Sequence, residues 1–329
     1  MTSGAMKRRQ TSKQVVSLGD LVLDNLVEEV RLPVEAKGHQ QTGAVRSEPG
    51  GAGNFLITAA RLGLKATALG VAGGDPFGRQ LMELLQQEGV TTQLVEIHED
   101  ERTSTVFVLK DKEDNHVFLG SLANGRPVRF SAAWQEALRT CDALQLWGYS
   151  LLEERVRPAI PSALACARQW GVPIFFDPGP LAAQIEPDVL QQVMGQSAVI
   201  CLNQEEIFPL TGSRELDSVK RFLAEGVNLV CVKRGNQGCV VFQGDQAVEH
   251  AGFPVSVADT AGAGDAFDAG LMFAWLQGWA PEQAAAFANA VGAAKARKQG
   301  TGRQMPTHQE VLALLAEYQV SVPALVNDD

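Results

Sequence analysis

The sequence predicts an α/β protein: a three-layer α/β/α core around a mostly parallel central sheet, with a small β-sheet lid. Three observations carry that prediction. Short β-branched and apolar runs alternate with helical runs along most of the chain, the pattern of a parallel sheet covered on both faces. Two patches of short, weakly alternating strand pattern, near 26–48 and 103–123, stand outside this alternation and read as a lid over a cleft. Glycine turns at 50–53 and 262–264 each lead into a helix.

The elements follow in order. The apolar run 15–23, interrupted by Gly19-Asp20, suits a buried strand ending in a polar turn. Pro49-Gly50-Gly51-Ala52-Gly53 then feeds a helix over 55–62, with Asn54 placed to cap it and Gly63 to end it. A strand is predicted over 65–71. Asp75 caps the next helix, Pro76 takes its first position and Gly89 closes it. Runs 103–109 and 116–119 make a hairpin around the charged turn Asp111-Lys112-Glu113-Asp114. Beyond it, strands at 143–146, 174–176, 199–202, 229–232 and 240–242 alternate with helices near 132–139, 158–170, 188–194, 218–225, 264–276 and 281–298. A further strand-like run, 254–257, precedes the 262–264 turn.

No repeat or Pro/Ser-rich linker divides the chain, so 14–320 reads as a single domain. Residues 1–13 form a polar, basic lead without the apolar region of a signal peptide, and 321–329 form a tail. With 45 % hydrophobic residues the chain can bury a large core, which excludes global disorder. A net charge of 28 − 38 = −10 excludes a broad electrostatic grip on nucleic acid or an anionic membrane. It leaves room for a local anion site, since backbone amides bind phosphate without net positive charge. No apolar stretch reaches the ~18–20 residues of a membrane span. The five cysteines have no CxxC spacing and sit in or beside apolar runs, so buried free thiols in a reducing, cytoplasmic compartment are expected.

Neither glycine turn is one of the common phosphate loops. No G-x-x-x-x-G-K-[ST] occurs, and G-x-G-x-x-G fails twice at its third glycine, at Leu56 and at Phe267. The turn Ala261-Gly262-Ala263-Gly264 would converge backbone N–H groups at a helix start, a ready anion site. Asp265 sits inside it, where a carboxylate would repel a passively bound phosphate. Its presence fits a base that takes a proton from an alcohol while a phosphoryl group is transferred to it. A helix-capping carboxylate in a glycine-rich turn satisfies the same spacing.

At this loop Asp259, Thr260, Gly262, Ala263, Gly264, Asp265 and Phe267 match the signature D-T-x-G-A-G-D-x-F. Gly50-Gly51-Ala52-Gly53-Asn54 and Gly73-Gly74-Asp75-Pro76-Phe77-Gly78 resemble a G-G-x-x-N turn and its downstream G-x-D-x-x-G, and Asn203-Gln204-Glu205-Glu206 matches N-x-x-E. Together, in this order from about Val15 to Pro306, they resemble the ribokinase-like (PfkB) carbohydrate kinases. The resemblance implies ATP-dependent phosphorylation of a hydroxymethyl group on a small sugar or sugar-like polyol, with Mg²⁺. It implies Asp265 as general base and an anion hole from the amides of Ala261, Gly262, Ala263 and Gly264. It places Asp20, Gly50, Gly51 and Asn54 on the sugar, with Asp24 a second carboxylate or a surface acid.

For the nucleotide the resemblance implies Asn203 and Lys233, the turn glycines Gly235 and Gly238, and Asn289 on the late helix. Glu206 would meet Mg²⁺ through water. Without the resemblance, Asn203 and Glu206 read as a helix cap and a solvated first-turn acid. Lys233 stands where many members have threonine or serine, and could meet phosphate as a point charge. A K⁺ site of main-chain carbonyls would fall at Asp259, Ala261 and Gly300. The lids of many members pair into homodimers. Two departures point away from ribose itself: Asp177-Pro178-Gly179-Pro180-Leu181 replaces the common D-x-N-x-R, and the 50–54 turn is one residue shorter than in many ribokinases. A nucleoside or vitamin kinase of the same fold, or a non-catalytic sugar sensor, are the alternatives.

Overall fold

A computed structural model describes residues 12–113 and 115–323. Most of the expected lead, the turn residue Asp114 and the tail from 324 lie outside the described residues. The chain runs β1 (Gln14–Leu18), β2 (Leu21–Val27), β3 (Val45–Gly51), α1 (Ala52–Arg61), β4 (Lys65–Gly73), α2 (Pro76–Gln87), β5 (Val95–His98), β6 (Thr105–Lys110), β7 (His116–Ser121) and α3 (Ala132–Thr140). It continues β8 (Ala143–Trp147), α4 (Gly148–Leu152), α5 (Ile160–Trp170), β9 (Ile174–Asp177), α6 (Pro187–Met194), β10 (Val199–Asn203), α7 (Gln204–Thr211) and α8 (Lys220–Ala224). The last elements are β11 (Leu229–Lys233), β12 (Cys239–Gln243), β13 (Gln246–His250), α9 (Ala263–Leu276), α10 (Pro281–Ala296) and α11 (His308–Glu317).

Nine strands form the central sheet in the order β13-β12-β11-β10-β9-β8-β1-β4-β5. All neighbours are parallel except β11–β12 and β12–β13. Successive residues of a central strand bury against opposite layers. In β11, Leu229 and Cys231 pack into the cluster built on α1, α9 and α10, while Val230 and Val232 pack into the one built on α3 and α5. That two-sided burial explains why these strands read as continuous apolar runs. The lid is a separate four-stranded sheet, β3-β2-β6-β7. All five cysteines are free and buried. Among the described residues no helix is long and apolar enough to cross a membrane.

Four local expectations are corrected. The run 15–23 is two strands: β1 ends in the core sheet, and the chain turns at Gly19-Asp20 into lid strand β2. Both turn residues have positive φ (88° and 55°), which redirects the chain between the sheets. Gly50 and Gly51 close strand β3 rather than forming a free turn, and Gly51 is the cap residue of α1. Asn54 therefore lies inside α1 and does not cap it. Residues 254–257 are not a strand: the sheet ends at β13, and Pro254 cannot donate a ladder bond. The 103–123 region does form the expected hairpin, β6 with β7, and Asp75 caps α2 by accepting from the Gly78 amide at 2.8 Å.

Candidate active site

The expected site residues gather where the parallel strands end. Asp20 follows β1, Asp177 ends β9, Asn203 ends β10, Lys233 ends β11, and the 262–265 turn opens α9. A crevice outside the carboxyl ends of the strands is where open α/β sheets bind ligands.

On the lid side stand two aspartates, Asp20 and Asp24. Burial, then the charges of Asp265, Glu153 and Asp24, hold the Asp20 carboxyl well above the usual carboxylate range. Burial pushes Asp24 up to about 7, opposed by the Thr301 hydroxyl, which donates to Oδ2 at 3.1 Å. A Cβ on Gly50 would overlap the Asp24 carboxylate, and one on Gly51 would overlap that of Asp20. Glycine at 50 and 51 is thus what lets both carboxylates lie against the backbone that ends β3.

Asp265 stands in the first turn of α9. Its Oδ2 accepts from the Asn54 side-chain amide at 2.9 Å, and Asn54 Oδ1 accepts from the Gly302 N–H at 2.8 Å. Burial raises the Asp265 carboxyl to about 6; the Asn54 bond opposes this and the charge of Asp177 adds to it. The expected anion hole is narrower than Ala261–Gly264. The Ala261 N–H donates to Asp259 Oδ1 (2.9 Å) and the Ala263 N–H to the Thr260 carbonyl (3.0 Å), so these two are already committed. The N–H groups of Gly262, Gly264 and Asp265 have no acceptor among the described residues.

Asn203 and Glu206 form a reciprocal capping box on α7. Asn203 Oδ1 accepts from the Glu205 and Glu206 amides (2.8 and 3.0 Å), and Glu206 accepts from the Asn203 backbone and side chain (2.9 and 2.6 Å). Glu206 is buried, not solvated, and burial followed by the charge of Asp177 pushes it up to about 7. The Lys233 ammonium is not a free point charge either. It donates to Asp177 Oδ2 at 2.6 Å and to both Asp268 oxygens at 3.1 Å. A Cβ on Gly264 would lie 3.6 Å from Lys233 Nζ, so this ion triad adjoins the start of α9.

Gly235 and Gly238 shape the turn between β11 and β12, both at positive φ (57° and 79°), and Gly238 presses against the His250 carbonyl. Asn289 reaches Cys239, which follows Gly238 and pairs with Lys233 across β11 and β12. It is buried, and its Nδ2 donates to the Ala285 carbonyl (2.8 Å) and toward Cys239 Sγ (3.1 Å). At the carbonyl cluster expected to bind K⁺, Asp259 Oδ1 and Oδ2 accept from Ala261 and Gly300 N–H groups, 2.9 Å each. The Asp259 carbonyl oxygen accepts from Lys295 Nζ at 3.2 Å.

Sequence reasoning missed Asp268, Lys295, Tyr149 and the pair Glu153–Arg155. Tyr149, though 38 % exposed, has its hydroxyl pushed up to about 12 by partial burial and by the charges of Asp20, Asp265, Asp177 and Glu206. Arg155 is buried and donates to Glu153 Oε1, the Ser104 hydroxyl and the Arg102 carbonyl, joining the site's floor to the lid's base. The one available signal was Lys295, a lone cation in the small apolar run 284–296.

Known proteins resemble this chain over nearly its whole length. The family model for pfkB family carbohydrate kinases matches residues 12–308. A fructokinase of Vibrio alginolyticus is 28 % identical over 317 residues, covering 92 % of this chain and 99 % of its own. An ATP-dependent ribose-1-phosphate kinase of Halopiger xanaduensis is 30 % identical over 308 residues, covering 92 % and 98 %. The solved structure of Arabidopsis thaliana ribokinase complexed with ribose and ATP superposes with a TM-score of 0.80 at 24 % identity, over 92 % of this chain and 99 % of that one. A protein of E. coli solved with ATP and Mg²⁺ gives 0.79 at 22 %, over 93 % and 99 %. These likenesses establish the fold.

Proposed function

The chain belongs to the pfkB family of carbohydrate kinases, and we propose that it transfers the γ-phosphoryl group of ATP to a hydroxymethyl group of a small sugar or sugar-like polyol, with Asp265 as general base. The observation that carries this reading is the Asp265 carboxyl: held by Asn54, raised to about 6, and set beside the uncommitted amides of Gly262 and Gly264. A base titrating near 6 is ionised at neutral pH yet basic enough to accept a proton in the transition state.

The substrate oxygen forms a bond to the γ-phosphorus as the bond from that phosphorus to the bridging oxygen of ADP breaks. The hydroxyl proton passes to Asp265, and ADP leaves. The free N–H groups at the start of α9 stabilise the growing charge on the phosphoryl oxygens. Asp20 and Asp24 accept from sugar hydroxyls, a role suited to carboxylates with two oxygens each. Asn203 and Glu206 border the phosphates. Mg²⁺ would arrive on the nucleotide with its waters and meet Glu206 through one of them. Bound there, the ion would neutralise phosphate charge. The free, buried cysteines suit a cytoplasmic enzyme.

Relatives act on different sugars, so the substrate must be read by assay. ADP release across pentoses, ketoses, hexoses, sugar acids, inositols and nucleosides identifies it. Best turnover on a nucleoside transfers the protein to the nucleoside kinases; sugar binding without turnover makes it a sensor. With the substrate in hand, Asp265→Asn is expected to keep ATP affinity and lose at least ~10²-fold in kcat. Near-normal turnover in that variant removes Asp265 from the role.

A further inference from the structure

We infer that the ammonium group of Lys295 takes the place of a monovalent metal cation beside the catalytic loop, so that this enzyme works without K⁺. The inference deepens the kinase reading given above. Lys295 stands in the last turn of α10 with no solvent exposure, and its Nζ donates to two main-chain carbonyls, Asp259 at 3.2 Å and Lys298 at 3.1 Å. Carbonyl oxygens converging on a buried site are the ligands a K⁺ ion selects. An ammonium is of similar size and charge and is satisfied by the same oxygens. With the Asp259 carbonyl occupied in this way, the residues present do not fit the metal ion.

The position is also the right one to act on the loop. Asp259 receives Lys295 on its carbonyl, while its carboxylate holds the Ala261 and Gly300 amides at 2.9 Å. Ala261 precedes Gly262, the cap of α9, and Asp265 follows three residues later. A charge fixed on Asp259 therefore sets the loop that presents both the free amides and the base. The Lys298 side chain is turned elsewhere, onto the Met305 carbonyl (3.2 Å) and Glu310 (3.0 Å), so it does not compete for this position. A tethered ammonium is bound at any salt concentration, because it pays no association entropy. Lys295 is thus a positioning residue, acting on the reaction through Asp259.

The test compares KCl, NaCl and choline chloride at equal ionic strength, with kcat and Tm as readouts, for the wild type and for Lys295→Ala. For the wild type, neither kcat nor Tm should depend on which cation is present. Lys295→Ala should lose ~10-fold or more in kcat in choline chloride, the scale seen when a metal site's support is removed. K⁺ should restore part of the activity and raise the variant's Tm, Na⁺ less so, and a short alkylammonium should rescue as well. Activation or thermal stabilisation of the wild type by K⁺ overturns the inference, as does full activity of Lys295→Ala in choline chloride. Equal impairment of the variant in every cation also overturns it, because that is a purely structural loss. If Lys295→Ala does not fold, the wild-type cation comparison decides alone. If no substrate is turned over, the kinase reading fails, while the Tm comparisons still test Lys295.

Discussion

The side chain of Asn54 holds the carboxylate of Asp265 across 211 positions of sequence, by a single amide hydrogen bond of 2.9 Å. The same amide accepts the Gly302 N–H, so the helix that follows lid strand β3, the helix that carries Asp265 and the loop after α10 meet at one residue. The bond does two things. It aims Asp265, and it favours the ionised carboxylate against the burial that disfavours it.

A pH profile should therefore follow Asp265. With its carboxyl raised to about 6, kcat/KM for the sugar is expected to fall as pH drops through about 6, where the base becomes protonated. Asn54→Ala removes the largest of the contacts that lower that value, ahead of the charges of Lys233 and Lys295, so its acid limb should move to higher pH, with a lower plateau. It also strands the buried Gly302 N–H, at a stability cost of about 1–3 kcal/mol. An unmoved acid limb in Asn54→Ala argues that another group controls the profile.

Asp24 carries a stability signature of opposite kind to the usual paired carboxylate. Its folded-state value is about 7 against an ordinary 3.8, so between those limits the folded chain holds a proton that the unfolded chain has released. Its contribution to stability is present at low pH and is lost as pH rises through about 7. Asp24→Asn, which stays neutral, should raise Tm at pH 8 and raise it less at pH 5, by scanning calorimetry in matched buffers. Equal shifts at the two values would mean Asp24 is charged throughout.

The Lys233 triad gives a third prediction. Lys233→Met leaves Asp177 and Asp268 buried side by side without a counter-charge, a loss on the order of 3–5 kcal/mol. Adding Asp268→Asn removes one of the stranded charges and should recover part of it, so chemical denaturation of the single and double variants gives a coupling energy. Additive losses would show that the two residues act independently.

What could be read from the sequence was whatever is local. The Gly262–Asp265 turn is a helix start with a carboxylate in it, and Asp75-Pro76 is a cap with proline behind it; both are visible within a few residues. The core strands were visible because burial on both faces makes them apolar throughout. Asn54 was read as a cap for the same local reason, yet its partners lie at Asp265 and Gly302, and no window of sequence contains them. Lys233 read as a phosphate ligand because its clamps, Asp177 and Asp268, come from other elements. The division of 15–23 between two sheets escaped for a different cause: both halves are apolar, and only the backbone at Gly19-Asp20 separates them.

The lid supplies the last prediction. Strand β7 is the edge of the sheet β3-β2-β6-β7, and every one of its residues is exposed, Val117, Phe118 and Leu119 among them. An exposed apolar edge strand offers unpaired backbone groups and apolar area together, which a monomer normally guards against with charge, proline or a bulge. We propose that a second copy of the chain covers this edge, forming the homodimer through the lid that the family resemblance implied. Light scattering of the purified protein should give twice the chain mass. The pair Phe118→Glu and Leu119→Lys should shift it to the single-chain value without a fall in Tm of the core, since neither side chain packs inside it. Asp24 lies on lid strand β2, so if it holds the sugar as proposed, splitting the dimer should raise KM for the sugar more than KM for ATP. A wild-type monomer across the working concentration range would dismiss the pairing.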